Sequence, residues 1–236
     1  MSDINILLIC DDYWHPAEIV EQGFSYIQNE EIQFDFVRTA KDILTEEMLA
    51  EYPIVFCCKG NSINAANQEP WFEEGVTEVG PKEIERYIEN GGVYVVLHAG
   101  SAVHPDWFAA PGREKFHRPA EEYTRMIGCR FITHPPRCPV TVSVTNPEHP
   151  LMEGVEDFTE RDEHYQLEVT EPYITTLFET SSETGGAGRP GGFLFVKGKG
   201  RVVVITPGHT LSVWKNPNFQ QILKNIIHYY TDEPLA

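Results

Sequence analysis

Gly91-Gly92-Val93-Tyr94-Val95-Val96-Leu97-His98-Ala99-Gly100 is the segment around which the rest of the chain is organised. The residues before it, Pro81 to Asn90, read as a helix, and the two glycines can supply the left-handed backbone that stops one. Apolar residues then follow from Val93 to Leu97 without alternation, the pattern of a strand buried on both faces of a parallel sheet. His98 stands directly in front of Ala99, Gly100 and Ser101. A functional side chain followed by small residues at the end of a buried strand marks a sharp strand-to-helix turn that exposes it at the sheet edge. Such an elbow usually carries a nucleophile. Here it carries an imidazole, which can also serve simply to cap the strand by hydrogen bonding.

Working outward, Ile4 to Cys10 reads as a further apolar strand, followed by the loop Asp11-Asp12-Tyr13-Trp14-His15-Pro16. Pro16 opens a helix to Gln28, with Ile19, Val20, Phe24 and Ile27 at helical spacing. Ile32 to Val37 alternates as a second strand, Thr45 caps a short helix to Glu51, and Pro53 to Cys58 is a third buried strand ending in Lys59-Gly60-Asn61. Strands alternating with helices specify an α/β fold, a mostly parallel sheet with helices on both faces. After residue 128 the pattern changes to short strands separated by turns: Phe131 to Thr133, Val140 to Val144, Ile174 to Phe178 and Phe193 to Val196. This reads as an antiparallel extension. Arg201 to Thr206 is another buried strand, ending in Pro207-Gly208-His209-Thr210, and a helix with an apolar face begins near Pro217. Residues 1–236 are expected to form a single domain.

The composition narrows the function. With 18 basic against 36 acidic residues the formal net charge is −18, a field that repels phosphate backbones and anionic lipid. Nucleic acid and membrane surfaces are therefore poor partners, while a neutral sugar or a cation is compatible. No apolar run approaches membrane-spanning length, and the short run Met1 to Ile9 lacks a basic n-region. The five cysteines are odd in number and lack CxxC spacing, so free thiols in a reducing, cytoplasmic compartment are expected. The sequence is compatible with a homo-oligomer and does not select one.

In open α/β sheets, ligands bind outside the carboxyl ends of the strands. Here those ends deliver Asp11, Asp12 and His15, then Lys59 and Asn61, then His98, and finally His209. If Arg161 to Val169 is one strand, Glu163, Tyr165, Leu167 and Val169 share a face, and the apolar pair points Glu163 inward. A solvated acidic loop is the bland alternative. His104, His117, His134 and His149 are expected at the surface, with His134 the one placed to do more because it follows a strand-like run. Residues 61–80 and 99–120 read as long loops bordering a pocket, with Trp71, Trp107 or Phe108 on its wall. Equally, these aromatics can merely pack the loops down.

Several of these stretches together resemble the trehalose-utilisation (ThuA-type) family, within the class I glutamine amidotransferase-like superfamily. They are Asp12 to Glu18, Val96-Leu97-His98-Ala99-Gly100, Asn146-Pro147-Glu148-His149-Pro150-Leu151, Glu160 to Tyr165, Pro207-Gly208-His209-Thr210 and Trp214 to Tyr229. The resemblance implies a flavodoxin-like fold, cytoplasmic sugar metabolism and links to keto-glycosides. It also puts His98 where an amidotransferase carries its nucleophilic cysteine, and His209 where it carries the activating histidine. Without a thiolate no thioester forms, so glutaminase activity is not expected. Two facing imidazoles suit a divalent metal of the zinc or manganese class, with His15, His98, Glu163 and His209 as the ligand set. His98, Glu163 and His209 are the expected catalytic residues, and Asp12, Asn61, Trp71, Trp107 and Tyr165 the expected substrate contacts. No nucleotide cofactor is expected. The leading reading is an enzyme that isomerises, eliminates from or hydrolyses a sugar or keto-glycoside. Its rival is a catalytically silent carbohydrate-binding or interaction module.

Overall fold

The computed structural model describes residues 4–60, 70–109 and 111–232. In chain order the strands are β1 (Ile4–Ile9), β2 (Ile32–Val37), β3 (Ile54–Cys57), β4 (Val93–Leu97), β5 (Cys129–Thr133), β6 (Cys138–Val144), β7 (Phe158–Asp162), β8 (Gln166–Val169), β9 (Thr175–Ser182), β10 (Gly186–Lys197) and β11 (Gly200–Ile205). Nine of them form one sheet in the order β2-β1-β3-β4-β11-β10-β9-β6-β7. The run from β2 to β11 is parallel, and the remaining pairs through β7 are antiparallel. Strands β5 and β8 make a separate antiparallel pair. This is a mostly parallel, flavodoxin-like α/β architecture with an antiparallel extension.

The central strands read as continuous apolar runs because both of their faces are covered. Val93, Val95 and Leu97 of β4 point into one core, with Val203 and Ile205 of β11. Helices α1 (Ala17–Ser25), α6 (Leu211–Lys215) and α7 (Pro217–Asp232) close that side through Phe24, Trp214, Phe219 and Ile226. Tyr94, Val96, Val202 and Val204 point into the other core. There α2 (Ala40–Ile43), α3 (Glu46–Glu51), α4 (Pro81–Glu89) and α5 (Glu114–Met126) supply Ala40, Leu49, Ile84 and Tyr123. Thr45 caps α3 by accepting the Met48 N–H at 3.2 Å.

Two expectations need correction. Residues 99–120 are not one long loop: the 3-10 turn His98–Ser101 runs into them, the 3-10 turn Pro105–Phe108 lies within them, and α5 begins there. Pro119 lies inside α5, where a proline argues against helix, yet Ala120, Tyr123 and Met126 at helical spacing are all fully buried. Burial of that stripe outweighs the missing N–H. Likewise Arg161 to Val169 is not one strand, because β7 ends at Asp162 and β8 resumes at Gln166. The break at residues 163–165 lets consecutive side chains turn inward, so the alternation drawn across the segment fails.

The turn after β4 is tight. A Cβ on Gly100 would lie 2.1 Å from the Cys57 carbonyl oxygen at the end of β3. Gly100→Ala therefore forces the His98–Ser101 turn away from β3, and we expect a loss of about 1–3 kcal/mol. Urea unfolding checks this: the midpoint falls with the slope unchanged, whereas an unchanged midpoint would mean that the turn does not rest on β3.

Candidate active site at the carboxyl edge of the sheet

The site starts at two strained positions. Asp11, after β1, and His98, after β4, are the non-glycine residues with positive φ, 75° and 43°, among the described residues. Backbone held in this sparsely populated region clusters at functional sites. At Asp11 the kink aims Asp12 under the loop. The buried Asp12 carboxylate accepts the N–H groups of Trp14 (2.9 Å), His15 (2.8 Å) and Gly60 (2.7 Å), and it meets His15 Nδ1 at 2.8 Å. Burial opposes its charge, yet His15 beside it and these N–H groups hold its carboxyl below the usual range. An ionised carboxylate only accepts, so His15 Nδ1 carries the proton and Nε2 the lone pair.

At His98 the ring turns back over the sheet, and Nδ1 lies 2.7 Å from the Thr206 carbonyl at the end of β11. A carbonyl also only accepts, so Nδ1 donates and Nε2 again carries the lone pair. The chain after β11 comes very close here, as a Cβ on Gly208 would lie 3.2 Å from His98 Cβ. Asp162, 1% exposed, holds that loop in place by accepting Gly208 N–H at 2.8 Å and His209 N–H at 3.0 Å. Trp214 pins it from the other side through an Nε1–H bond to the Gly208 carbonyl at 2.9 Å.

Ligand-capable atoms of His15, His98, Glu163 and His209 consequently lie within 4.8 Å of one another. Glu163 Oε2 is 3.3 Å from His209 Nδ1, 3.7 Å from His98 Nε2 and 3.7 Å from His134 Nε2. Burial works to raise the Glu163 carboxyl, but the surrounding imidazoles outweigh it and hold it at about 2. His209 is pushed down to about 4 by burial and by the neighbouring His98, so it is neutral at pH 7. Tyr165 stacks on the His98 ring at 4.1 Å, and its hydroxyl lies 3.4 Å from His15 Nε2. His98 Nε2 and His209 Nδ1 are buried without a hydrogen-bond partner among the described residues.

Two cavities flank this cluster. The larger, about 750 Å³, is lined by Asp12, Phe131, Thr133, His134, Glu163 and Tyr165, among others. The smaller, about 280 Å³, has His98, Ile19, Leu97 and Trp214 in its wall. Trp14, His15, Arg137 and His209 border both.

Of the expected substrate contacts, Asp12 and Tyr165 face the larger cavity. Trp71 does not. It is 1% exposed in the core on the α4/α5 side, against Phe72 at 4.4 Å, because its segment buries its ring under the sheet. Asn61 and the Trp107 side chain lie outside the described residues. Three contributors escaped the sequence reading. Trp14, 60% exposed on the cavity rim, sits beside His15 and was the aromatic to notice. Arg137 gave no signal in its proline-rich loop, and Asp162 was placed on the outward face by the strand alternation.

An α/β protein of flavodoxin-like type, with its site on the carboxyl edge of the parallel strands, is what this arrangement defines. The chain belongs to the ThuA family, described as trehalose utilisation, whose model matches residues 11–230. A ThuA-like protein of Bacteroides uniformis is similar in structure with a TM-score of 0.71 at 17% identity, over 99% of this chain and 94% of that one. A ThuA-like protein of Parabacteroides merdae gives 0.69 at 15% identity, over 100% and 92%. A β-galactosidase of Rahnella contains the fold as well, with a TM-score of 0.62 at 12% identity, over 97% of this chain and 31% of that one. No curated protein is similar enough to count as a match. No helix among the described residues is long and apolar enough to cross a membrane.

Asp162→Ala leaves the buried Gly208 N–H and the part-buried His209 N–H without their acceptor, so we expect a loss of about 2–4 kcal/mol. The local signature is faster amide exchange at Gly208 and His209. Exchange rates matching the unsubstituted protein would show that Asp162 does not hold the loop.

Proposed function

We propose that the protein is a cytoplasmic enzyme of carbohydrate metabolism that acts on a sugar or keto-glycoside, assisted by a divalent metal of the zinc or manganese class. The observation that carries this reading is the convergence of three imidazoles and a carboxylate on one point at the sheet edge. Unpartnered buried nitrogens on His98 and His209 fit a ligand set, since buried polar atoms are otherwise almost always paired. Hydrogen bonds behind the rings fit it too, because metal-binding imidazoles are oriented by a carboxylate or carbonyl on their other nitrogen. Membership of a family described as trehalose utilisation supports the substrate class. Five free cysteines are consistent with a reducing cytoplasm.

A metal bound there would supply Lewis-acid polarisation of a carbonyl or hydroxyl oxygen. Asp12 and the Thr206 carbonyl keep the inward nitrogens of His15 and His98 unprotonated. Glu163 stays ionised and contributes charge beside the imidazoles. His134 is placed to move a proton. Its Nδ1 meets the Pro135 carbonyl at 2.9 Å, which leaves Nε2 facing the larger cavity beside Glu163. Tyr165, whose hydroxyl burial pushes well up, remains a hydrogen-bond donor. This set suits isomerisation, elimination or hydrolysis of keto-sugars.

Elemental analysis of purified protein, paired with turnover of candidate keto-sugars, tests the reading. Metal content and turnover should fall together in Glu163→Gln and His98→Ala, with folding largely intact by circular dichroism. Asp12→Asn should weaken metal affinity by about 10–100-fold, the usual cost of a lost orienting partner. Unchanged turnover in Glu163→Gln would leave a non-catalytic carbohydrate-binding role ahead.

Glutaminase chemistry does not belong to this reading. The elbow carries His98, and Cys58, the thiol bordering the smaller cavity, is pushed well up by burial. A glutamine-analogue electrophile should therefore label no cysteine stoichiometrically, as intact mass would show. One equivalent of label with loss of activity would restore an amidotransferase mechanism.

A further inference from the structure

We infer that the substrate is a sugar acid, and that Arg137 selects it by pairing with its carboxylate. This rests on the carbohydrate reading above and narrows its substrate class. Arg137 lies in the link between β5 and β6, on the border that the two cavities share with Trp14, His15 and His209. Among the described residues lining either cavity, no other is a lysine or arginine. Its guanidinium makes no hydrogen bond or ion pair to another of the described residues.

In a chain with 36 acidic residues, an arginine left in that state at the mouth of a site calls for a reason. Arg38, Arg86, Arg118, Arg125 and Arg130 each meet a glutamate at 3.4 Å or less. Arg161 and Arg189 also lack an ion pair among the described residues, but they border neither cavity. The carboxylates that line the larger cavity are engaged elsewhere. Asp12 is taken up by three backbone N–H groups and His15, and Glu163 faces the imidazoles of His98, His134 and His209. No carboxylate lines the smaller cavity. Arg137 is therefore left for a ligand. A planar guanidinium donates two parallel N–H groups to a carboxylate, and its single charge matches a monoanion. A phosphate monoester carries about two negative charges at pH 7, and the second would find no cationic side chain on these walls. Trp14, 60% exposed on the same rim, can cover the apolar C–H face of the ring that bears the carboxylate.

Calorimetric titration of the protein as purified with methyl glucuronides and methyl glucosides, in both anomers, tests the inference, with saturation-transfer NMR of glycolate as a sugar-free carboxylate probe. The glucuronide of the preferred anomer should bind about tenfold more tightly or better than the matching glucoside, the expected gain from one charge-assisted pair. Arg137→Gln should bring that ratio toward one and abolish glycolate saturation transfer, while glucoside affinity, circular dichroism and metal content stay unchanged. Arg137→Lys should recover part of the preference, because it keeps the charge and loses the fork. No preference for the glucuronide in the unsubstituted protein would overturn the inference, as would an unaltered ratio in folded Arg137→Gln. Tighter binding of glucose 6-phosphate than of the glucuronide, lost in Arg137→Gln, would overturn the choice of a carboxylate over a phosphate. If glycolate binds in an Arg137-dependent way and neither glycoside binds, the sugar assignment falls while the carboxylate site stands. Failure of every carboxylate to bind overturns that site.

Discussion

The hydrogen bond from His98 Nδ1 to the Thr206 carbonyl, 2.7 Å long, is the contact on which the site depends. It joins the ends of β4 and β11, neighbouring strands that run parallel in the middle of the sheet. It also fixes which ring nitrogen faces the cluster. Thr206 is itself immobilised, because the Gly191 carbonyl of β10 accepts both its N–H at 2.8 Å and its hydroxyl at 2.9 Å. The chemistry of one imidazole is thereby set by three adjacent strands, and the strained φ at His98 persists because those strands over-determine it.

Much of this arrangement could be read in the sequence, for identifiable reasons. Strands covered on both faces leave unbroken apolar runs, so β1, β3, β4 and β11 were visible, and with them the edge where His15, His98 and His209 gather. Trp71 could not be placed, since a loop tryptophan carries the same letters whether it lines a pocket or fills a core. The region around Glu163 shows a different limit. Strand alternation put Glu163 inward and Asp162 outward, yet both turn in, because β7 stops at Asp162 and the chain bends at once. A buried aspartate whose partners are backbone N–H groups forty-six residues away leaves no local pattern to read.

Three carboxylates lie in or under the cluster, and they do different things. Asp12 stays charged because N–H groups and His15 surround it, and it orients a ring. Asp162 is spent on backbone, and burial pushes its carboxyl up despite the two N–H groups it accepts. Only Glu163 directs its charge into the open space between the imidazoles. The excess of 36 acidic over 18 basic residues therefore says little about the site, whose electrostatics are decided by these few buried groups.

His15 follows the first strand and His209 the last, with Glu163 coming from the antiparallel extension between them. A chain emerging from the ribosome consequently has no part of the site in working order until β11 has been made and inserted between β4 and β10. Once the site is complete, a ligand bound at the cluster would tie the first strand to the last and favour the folded chain by mass action, by about 2.7 kcal/mol at a hundred times its dissociation constant. Occupancy and lifetime would then be coupled, with the empty molecule the first to open.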